Sequence, residues 1–141
     1  MASILVQNLS LQYQMERPGF AAVLLGADLA AISALLQQNQ HDLFAQQISA
    51  LGNSGDVLVV FSHGNAPANI VKAIQAAHSK DMVVVCFSGT GDENLTASLA
   101  EQDCHVQVNH SDKHRVNEIH LLVISALCDL IDYQIFGGIY Q

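Results

Sequence analysis

The sequence is short of positive charge. It has five Lys and Arg residues against thirteen Asp and Glu residues, which gives a formal net charge of −8. Binding to a DNA or RNA backbone relies on clustered Lys and Arg side chains. We therefore expect no direct contact with nucleic acid.

Cysteine is also scarce. Cys86, Cys104 and Cys128 are far apart, and two of them lie inside apolar runs. This spacing is typical of reduced thiols and differs from a disulfide framework or a Cys-x-x-Cys metal site. The sequence predicts a cytoplasmic protein with no metal and no cofactor.

Export and membrane signals are missing from the sequence. Residues 1–14 contain an apolar patch, but no basic region precedes it and no small-residue cleavage site follows, so no signal peptide is predicted. The longest apolar stretch, residues 120–131, is too short to cross a bilayer and contains Asp129. Membrane insertion is not expected.

Hydrophobic residues are abundant, at 50% of the 141 residues, while only 13% are charged. A chain of this length is expected to form one domain over residues 1–141 with a single core. So little polar surface favours an apolar face shared with another copy of the chain.

Strand and helix patterns alternate along the chain. Apolar runs predict strands at Phe20–Leu25, Val57–Phe61, Met82–Phe87 and Cys104–Val108. Helical periodicity predicts helices at Asp28–Leu36, Asp42–Leu51, Ala68–Ser79 and Glu93–Ala100, with Asp28, Asp42 and Asp92 as N-caps. This alternation predicts a doubly wound α/β fold with a parallel sheet.

The last predicted helix, Lys113–Ile135, is apolar on nearly all sides. One face would contain Val116, Ile119, Val123, Leu127 and Leu130. Such a helix needs a packing partner on two sides, and one of them is most simply a second copy of the chain. We therefore expect a homo-oligomer formed through residues 113–135.

At the other end of the chain, residues 3–7 suit either a helix or a strand, and the helix is preferred.

One loop has the form of an anion site. The stretch FSHGNAPANI, residues 61–70, connects a predicted strand to a predicted helix. The first N–H groups of a helix are unpaired and favour an anion. A plain turn capped by Asn65 is the alternative interpretation.

Several motifs carry a family resemblance over about nine tenths of the chain. They are ERP (16–18), HD (41–42), ALG and GDVL (50–58), FSHGN (61–65), IVKAIQAA (70–77), KDMVVV (80–85), QD (102–103), RVNEIH (115–120) and ALCDLID with IF (126–136). From Glu16 onward the sequence resembles the SIS (sugar isomerase) domains of the phosphoheptose isomerase family. It is most similar to the branch of DnaA initiator-associating (DiaA) proteins. The resemblance implies a flavodoxin-like sheet without the family's usual N-terminal helix and first strand.

The resemblance also implies that the family's catalytic side chains have changed. The His and Glu of the family's early helix would fall near Ile4 and Asn8, and the Gln and His of its last helix fall on Asn117 and Ser125. Isomerisation of a sugar needs a base beside a carbonyl and a group that holds the enediolate. We therefore expect no catalytic residues of the family type.

The resemblance implies a sugar phosphate site at the ends of two strands. Its candidate residues are Ser62, His63, Gly64, Asn65, Ser88 and Thr90. Only Ser62 keeps a hydroxyl in the first loop, and Pro67 removes an N–H. Glu93 beside Asp92 would repel an anion, so a capping role for Asp92 is favoured.

Two further groups of residues have alternative interpretations. His110, His114 and His120 have a spacing that suits a metal, but a polar loop leading into a helix explains them more simply. Ile135 and Phe136 match a Leu-Phe pair that the initiator-associating branch uses for binding, although Phe136 and Tyr140 would equally pack back onto the core.

Together these features favour a non-catalytic, oligomeric regulator that binds a protein such as the replication initiator DnaA. The alternatives are a phosphoheptose isomerase with a rearranged site, supplied by His63 or by a neighbouring subunit, and a sensor that binds a sugar phosphate without turnover.

Overall fold

The computed structural model describes residues 1–38 and 42–137. In chain order its elements are α1 (Ala2–Ser10), α2 (Leu29–Gln38), α3 (Leu43–Leu51), β1 (Val57–Phe61), α4 (Ala68–His78), β2 (Val83–Ser88), α5 (Glu93–Ser98), β3 (Cys104–Gln107) and α6 (Lys113–Phe136). The chain divides into two compact units. One contains Leu25–Val116, and the other contains Met1–Leu24 with the chain from Asn117 onward. The prediction of a single domain stays a prediction.

The three strands form one parallel sheet in the order β1-β2-β3. Val57 pairs with Val83 at the start of β1, and Val85 pairs with Cys104 at the start of β3. The strands are rich in Val, whose branched side chains suit a pleated, buried surface. The predicted α/β class with a parallel sheet is confirmed, and so are three of the four predicted strands.

Helix α4 covers the first two strands and supplies the centre of this unit's core. Ile74 and Ala77 are fully buried, and they belong to one apolar cluster with Val84 and Cys86 of β2. Helix α3 packs against α4, with Ile48 buried in the same cluster. This core fixes the position of the loop between β1 and α4.

The predicted strand at Phe20–Leu25 is wrong. Residues 20–24 have no regular secondary structure, and they pair with no strand in the part of the chain that the structure describes. The N–H of Phe20 donates instead to the carbonyl of Leu9, at the end of α1. A strand needs a neighbour for its backbone groups, and this segment is tied to a helix end.

The unit that contains both chain ends is built from α1 and α6. Residues 3–7 lie in α1, as the preferred interpretation predicted. In α6 the buried residues recur at every fourth position: Val116, His120, Ile124, Cys128 and Asp132. Ile119 and Leu130 of the apolar face named from the sequence are exposed, so they remain available to the second covering surface that the sequence analysis expects.

Helix α6 is also longer than its uninterrupted apolar stretch indicated. At 24 residues it is long and apolar enough to span a membrane by length and composition alone. The same test is passed by the core helices of soluble proteins, and two of the buried residues of α6, His120 and Asp132, are polar. One such helix is weak evidence for a membrane span, and the cytoplasmic location stays a prediction.

The structure confirms one predicted N-cap, Asp28, and contradicts another, Asp42. Asp28 caps α2, since its Oδ1 accepts the N–H of Ala30 at 2.9 Å. Asp42 precedes α3, but its side chain makes no capping hydrogen bond. Its Oδ1 pairs with Nζ of Lys72 on α4 at 2.6 Å, so an ion pair between two helices replaces the predicted cap.

Candidate functional site

The loop between β1 and α4, residues 62–67, turns sharply just before the helix. Gly64 and Asn65 both have positive φ, +122° and +54°. Pro67 is the N-cap of α4, and no side chain caps this helix. The interpretation of Asn65 as the cap is therefore wrong, and the N–H groups of Ala68 and Asn69 have no acceptor within the helix.

This loop touches the loop after β2, residues 89–92, main chain against main chain. A Cβ on Gly64 would lie 2.7 Å from the carbonyl oxygen of Thr90. A Cβ on Gly89 would lie 2.7 Å from the carbonyl oxygen of His63. Only glycine permits this approach, which brings the ends of two neighbouring strands together.

A cleft of about 220 Å³ opens beside the first loop and the start of α4. It is lined by Phe44, Phe61, Ser62, His63, Gly64, Pro67, Asn69 and Ile70. His63 is exposed and Ser62 is buried. Oδ1 of Asn69 is buried and has no hydrogen-bond partner among the described residues, so a donor group in the cleft would satisfy it.

Asp92 connects the two loops through its carboxylate. Its Oδ2 accepts the hydroxyl of Ser62 at 2.8 Å, and its Oδ1 accepts the N–H of Ala66 at 2.6 Å. The side chain makes no capping hydrogen bond to α5. The predicted capping role of Asp92 is wrong, because the carboxylate turns back onto the β1–α4 loop.

The structure brings together only part of the predicted phosphate site. Ser62, His63 and Gly64 line the cleft, whereas Asn65, Ser88 and Thr90 do not. Ser88 Oγ is hydrogen-bonded to His105 Nε2 at 2.7 Å, on β3. Thr90 Oγ1 donates to Asn109 Oδ1 at 3.1 Å, in the loop before α6.

Sequence reasoning missed Phe44 and Asn69 at this site, and it gave Asp92 a capping role instead of a contact with the β1–α4 loop. Phe44 comes from α3, which no motif connects to the loop. Asn69 follows the loop by two residues, and its position in the first turn of a helix was the only available signal.

Burial and local hydrogen bonds account for Cys86, His110 and Asp112 elsewhere in this unit. Burial first, and then the negative charge of Asp92, raise the pKa of Cys86 to about 12, so its thiol stays protonated. Among the described residues, no three His, Cys, Asp or Glu side chains gather as metal ligands. Nδ1 of His110 accepts the N–H of Asp112, and Oδ1 of Asp112 accepts the N–H of His114, as in a capped helix start.

The four positions that the resemblance assigns to catalysis lie on α1 and α6. Asn8 Nδ2 contacts Sγ of Cys128 at 3.8 Å, and Ser125 donates to the carbonyl of Leu121 at 3.1 Å. Oδ1 of Asn117 is buried without a partner among the described residues. Ile4 is partly exposed.

The proposed binding tail is described up to residue 137. Ile135 is exposed, and the ring of Phe136 lies 6.0 Å from that of Phe20. Tyr140 lies outside the described residues. Binding of a partner by this tail stays untested.

Comparison with known proteins identifies relatives of this chain. Residues 5–89 match the SIS domain family. The phosphoheptose isomerase of Methylibium petroleiphilum is 43% identical over 129 residues, and that of Chromohalobacter salexigens is 38% identical over 128 residues. These matches cover 89% and 90% of this chain but 64% and 65% of the relatives, so the chain spans less than two thirds of their length.

Two solved structures share the fold. The phosphoheptose isomerase of Francisella tularensis has a TM-score of 0.87 at 30% identity, over 92% of this chain and 69% of that one. The phosphoheptose isomerase of Neisseria gonorrhoeae has a TM-score of 0.84 at 34% identity, over 93% of this chain and 68% of that one.

These relatives contradict the expectation of a non-catalytic regulator that binds the initiator DnaA. Proteins 38–43% identical over most of the chain are named phosphoheptose isomerase. They support the alternative interpretation of the sequence, an isomerase. The expected similarity to the branch of DnaA initiator-associating (DiaA) proteins stays a prediction.

Proposed function

This chain belongs to the SIS-domain family, and from that membership we propose that it acts as a sugar-phosphate isomerase of the phosphoheptose isomerase type. The observation that carries the proposal is its 38–43% identity, over about nine tenths of its length, to proteins of that name. A fold similar to two such isomerases supports it.

The cleft beside the β1–α4 loop is the proposed substrate site. The positive end of the dipole of α4 points to it, and the N–H groups of Ala68 and Asn69 have no acceptor within the helix. A phosphate would lie at this helix end. The hydroxyl groups of the sugar would meet Oδ1 of Asn69, which is otherwise unpaired among the described residues.

The proposed chemistry is proton transfer between neighbouring carbons. An aldose–ketose isomerase removes a proton beside a carbonyl and returns it to the adjacent carbon. Imidazole is the side chain best suited to both steps near neutral pH. Among the residues that line the cleft, His63 is the one with an imidazole, and we assign this role to it.

The test is conversion of sedoheptulose 7-phosphate by the purified protein, followed by NMR. We expect turnover, and we expect His63→Ala to lower kcat by about 10²–10⁴-fold, the usual contribution of a general base. The matched control is His114→Ala, which removes an exposed imidazole that does not line the cleft. Turnover by the His63→Ala variant equal to that of the parent would remove His63 from the mechanism.

A second candidate function is binding of a sugar phosphate without turnover. It is favoured by the replacement of the four family positions by Ile4, Asn8, Asn117 and Ser125. Under this alternative, sedoheptulose 7-phosphate would raise the melting temperature, the Ser62→Ala variant would lose that shift, and no product would form.

We also propose that the chain assembles with copies of itself through α6. Large apolar side chains of this helix are exposed: Ile119, Leu121, Leu122, Leu130, Tyr133, Ile135 and Phe136. A second copy that packs on these side chains would remove them from water.

A further inference from the structure

The carboxylate of Asp92 holds the hydrogen-bond donors with which the β1–α4 loop would bind an anion. Asp92 is only 2% exposed. It accepts the Ser62 hydroxyl at 2.8 Å and the Ala66 N–H at 2.6 Å. A hydroxyl and a backbone N–H just ahead of a helix are the groups that usually surround a bound phosphate.

The direction of these hydrogen bonds decides what the cleft presents to a ligand. A serine hydroxyl has one hydrogen, and Ser62 donates it to Asp92. Oγ of Ser62 also accepts the N–H of Gly64 at 3.3 Å. A ligand in the cleft therefore meets lone pairs on Ser62 and on Oδ1 of Asn69, and both repel a phosphate oxygen.

No permanently charged cation among the cleft residues offsets this effect. The eight lining residues include no Lys or Arg. Lys72, one turn further along α4, is engaged with Asp42 at 2.6 Å. Glu93, next to Asp92, adds a second carboxylate.

We propose that Asp92 is a specificity-determining residue, an internal competitor that occupies the loop's donors and makes an external phosphate displace its carboxylate before it can bind there. The proposal rests on the proposed function, because it assigns the same cleft to a sugar phosphate. It adds that the affinity of this cleft for anions is set by a side chain of the β2–α5 loop.

The test is a titration of the purified protein with inorganic phosphate, followed by calorimetry or ³¹P NMR. Asp92→Asn keeps an oxygen that accepts the Ala66 N–H, and its amide donates to Ser62 Oγ, which frees the hydroxyl hydrogen for the cleft. Since one buried negative charge is also removed, we expect phosphate to bind at least about tenfold more tightly than to the parent. The double variant with Ser62→Ala should lose most of this gain.

Glu93→Gln is the matched control, because it removes the same charge from an exposed neighbour. We expect it to change phosphate affinity by less than about twofold, as is usual for a screened surface charge. An equal gain in both variants, or no gain in a folded Asp92→Asn variant, would overturn the proposal. If Asp92→Asn does not fold, Asp92→Ser replaces it with the same expectation, since it removes the same carboxylate from Ser62.

The two proposals fail in different experiments. Tighter phosphate binding by Asp92→Asn without any turnover of sugar phosphate would sustain the role of Asp92 and reject the isomerase. Turnover by the parent with an unchanged phosphate affinity in Asp92→Asn would sustain the isomerase and reject the role of Asp92.

Discussion

At the scale of single residues, Arg17 has a dense set of contacts. Its side chain is 1% exposed, and its Nε donates to Oδ1 of Asp132 at 2.6 Å. Its other nitrogens donate to the carbonyls of Asn8, Leu9, Leu11 and Pro18, around the end of α1. The guanidinium also lies 4.6 Å from the ring centre of Phe20.

We predict that Arg17→Ala lowers the free energy of unfolding by about 3–5 kcal/mol, because it leaves a buried carboxylate without its partner. Oδ2 of Asp132 already has no hydrogen-bond partner among the described residues, so the lost interaction has no substitute nearby. Urea denaturation followed by circular dichroism measures the change.

Lys72→Ala is the control for this prediction. It breaks an ion pair of the same length, 2.6 Å, whose side chains are 42% and 30% exposed. Exposed pairs contribute about 0–1 kcal/mol, so the loss should be small. If Arg17→Ala and Lys72→Ala lower the free energy of unfolding by similar amounts, burial does not set the strength of the Arg17–Asp132 pair.

Residue-scale reasoning from the sequence found part of the site. Ser62, His63 and Gly64 were predictable because a strand, a short polar loop and a helix follow each other directly in the sequence. The contact between Ser62 and Asp92 joins residues 30 positions apart. Asp92 before a predicted helix has the pattern of an N-cap, and only the approach of the two loops gives it another partner.

At the scale of elements, one carboxylate connects several segments. Oδ1 of Asp103 accepts the N–H of Val84 in β2 at 2.8 Å. Its Oδ2 accepts the N–H of Ala100 at 2.7 Å and pairs with Nε2 of His78, at the end of α4, at 2.7 Å. Burial alone would raise the pKa of Asp103, but these hydrogen bonds outweigh it and lower the pKa below 3.8.

This lowered pKa predicts how stability depends on pH. The folded protein binds the proton of Asp103 less readily than the unfolded chain, so the contribution is complete above the unfolded pKa. It is lost as the pH falls below about 4 and through the folded pKa. Asp103→Asn should lower the free energy of unfolding at neutral pH by about 2–3 kcal/mol, since an amide cannot accept all three donors.

Urea denaturation at a series of pH values between neutrality and strong acid measures this effect. The difference between the parent and Asp103→Asn should shrink as the pH falls. Asp81→Asn is the control, because Asp81 is exposed and asparagine tolerates its φ of +56°. A difference that stays constant down to strong acid would contradict the role given to the Asp103 carboxylate.

The elements themselves were predictable where the local pattern decides the structure. Val57–Phe61 is a strand with the predicted bounds, and α4 and α6 begin at the predicted residues. The pattern of Phe20–Leu25 is just as apolar, but a run of side chains carries no information about whether a neighbouring strand exists. The sequence could not show which face of α6 is buried, because this helix is apolar on several sides.

At the scale of the whole molecule, the high apolar content and the exposed apolar side chains of α6 favour assembly with another copy of the chain. Leu122 and Leu130 are 64% and 54% exposed, and they lie eight residues apart on the same helix. Residues separated by multiples of four lie near the same side of a helix. Two leucines so exposed are unusual unless another surface covers them.

We predict that the parent protein sediments as a multiple of its chain mass and that the double variant Leu122→Glu, Leu130→Glu sediments as a single chain. Two carboxylates placed in an apolar interface would have to lose their water without a partner. Analytical ultracentrifugation measures the change. The control is Gln102→Glu, which adds a charge at an exposed position outside α6. A parent that sediments as a single chain would refute the proposed assembly.

The glycine contacts between the two loops also limit how the cleft can diversify. A side chain at Gly64 or Gly89 would collide with the main chain of the other loop, so a change in one loop demands a compensating change in the other. New ligand preferences are therefore most accessible by substitution at Phe44 and Ile70, which line the cleft outside these contacts.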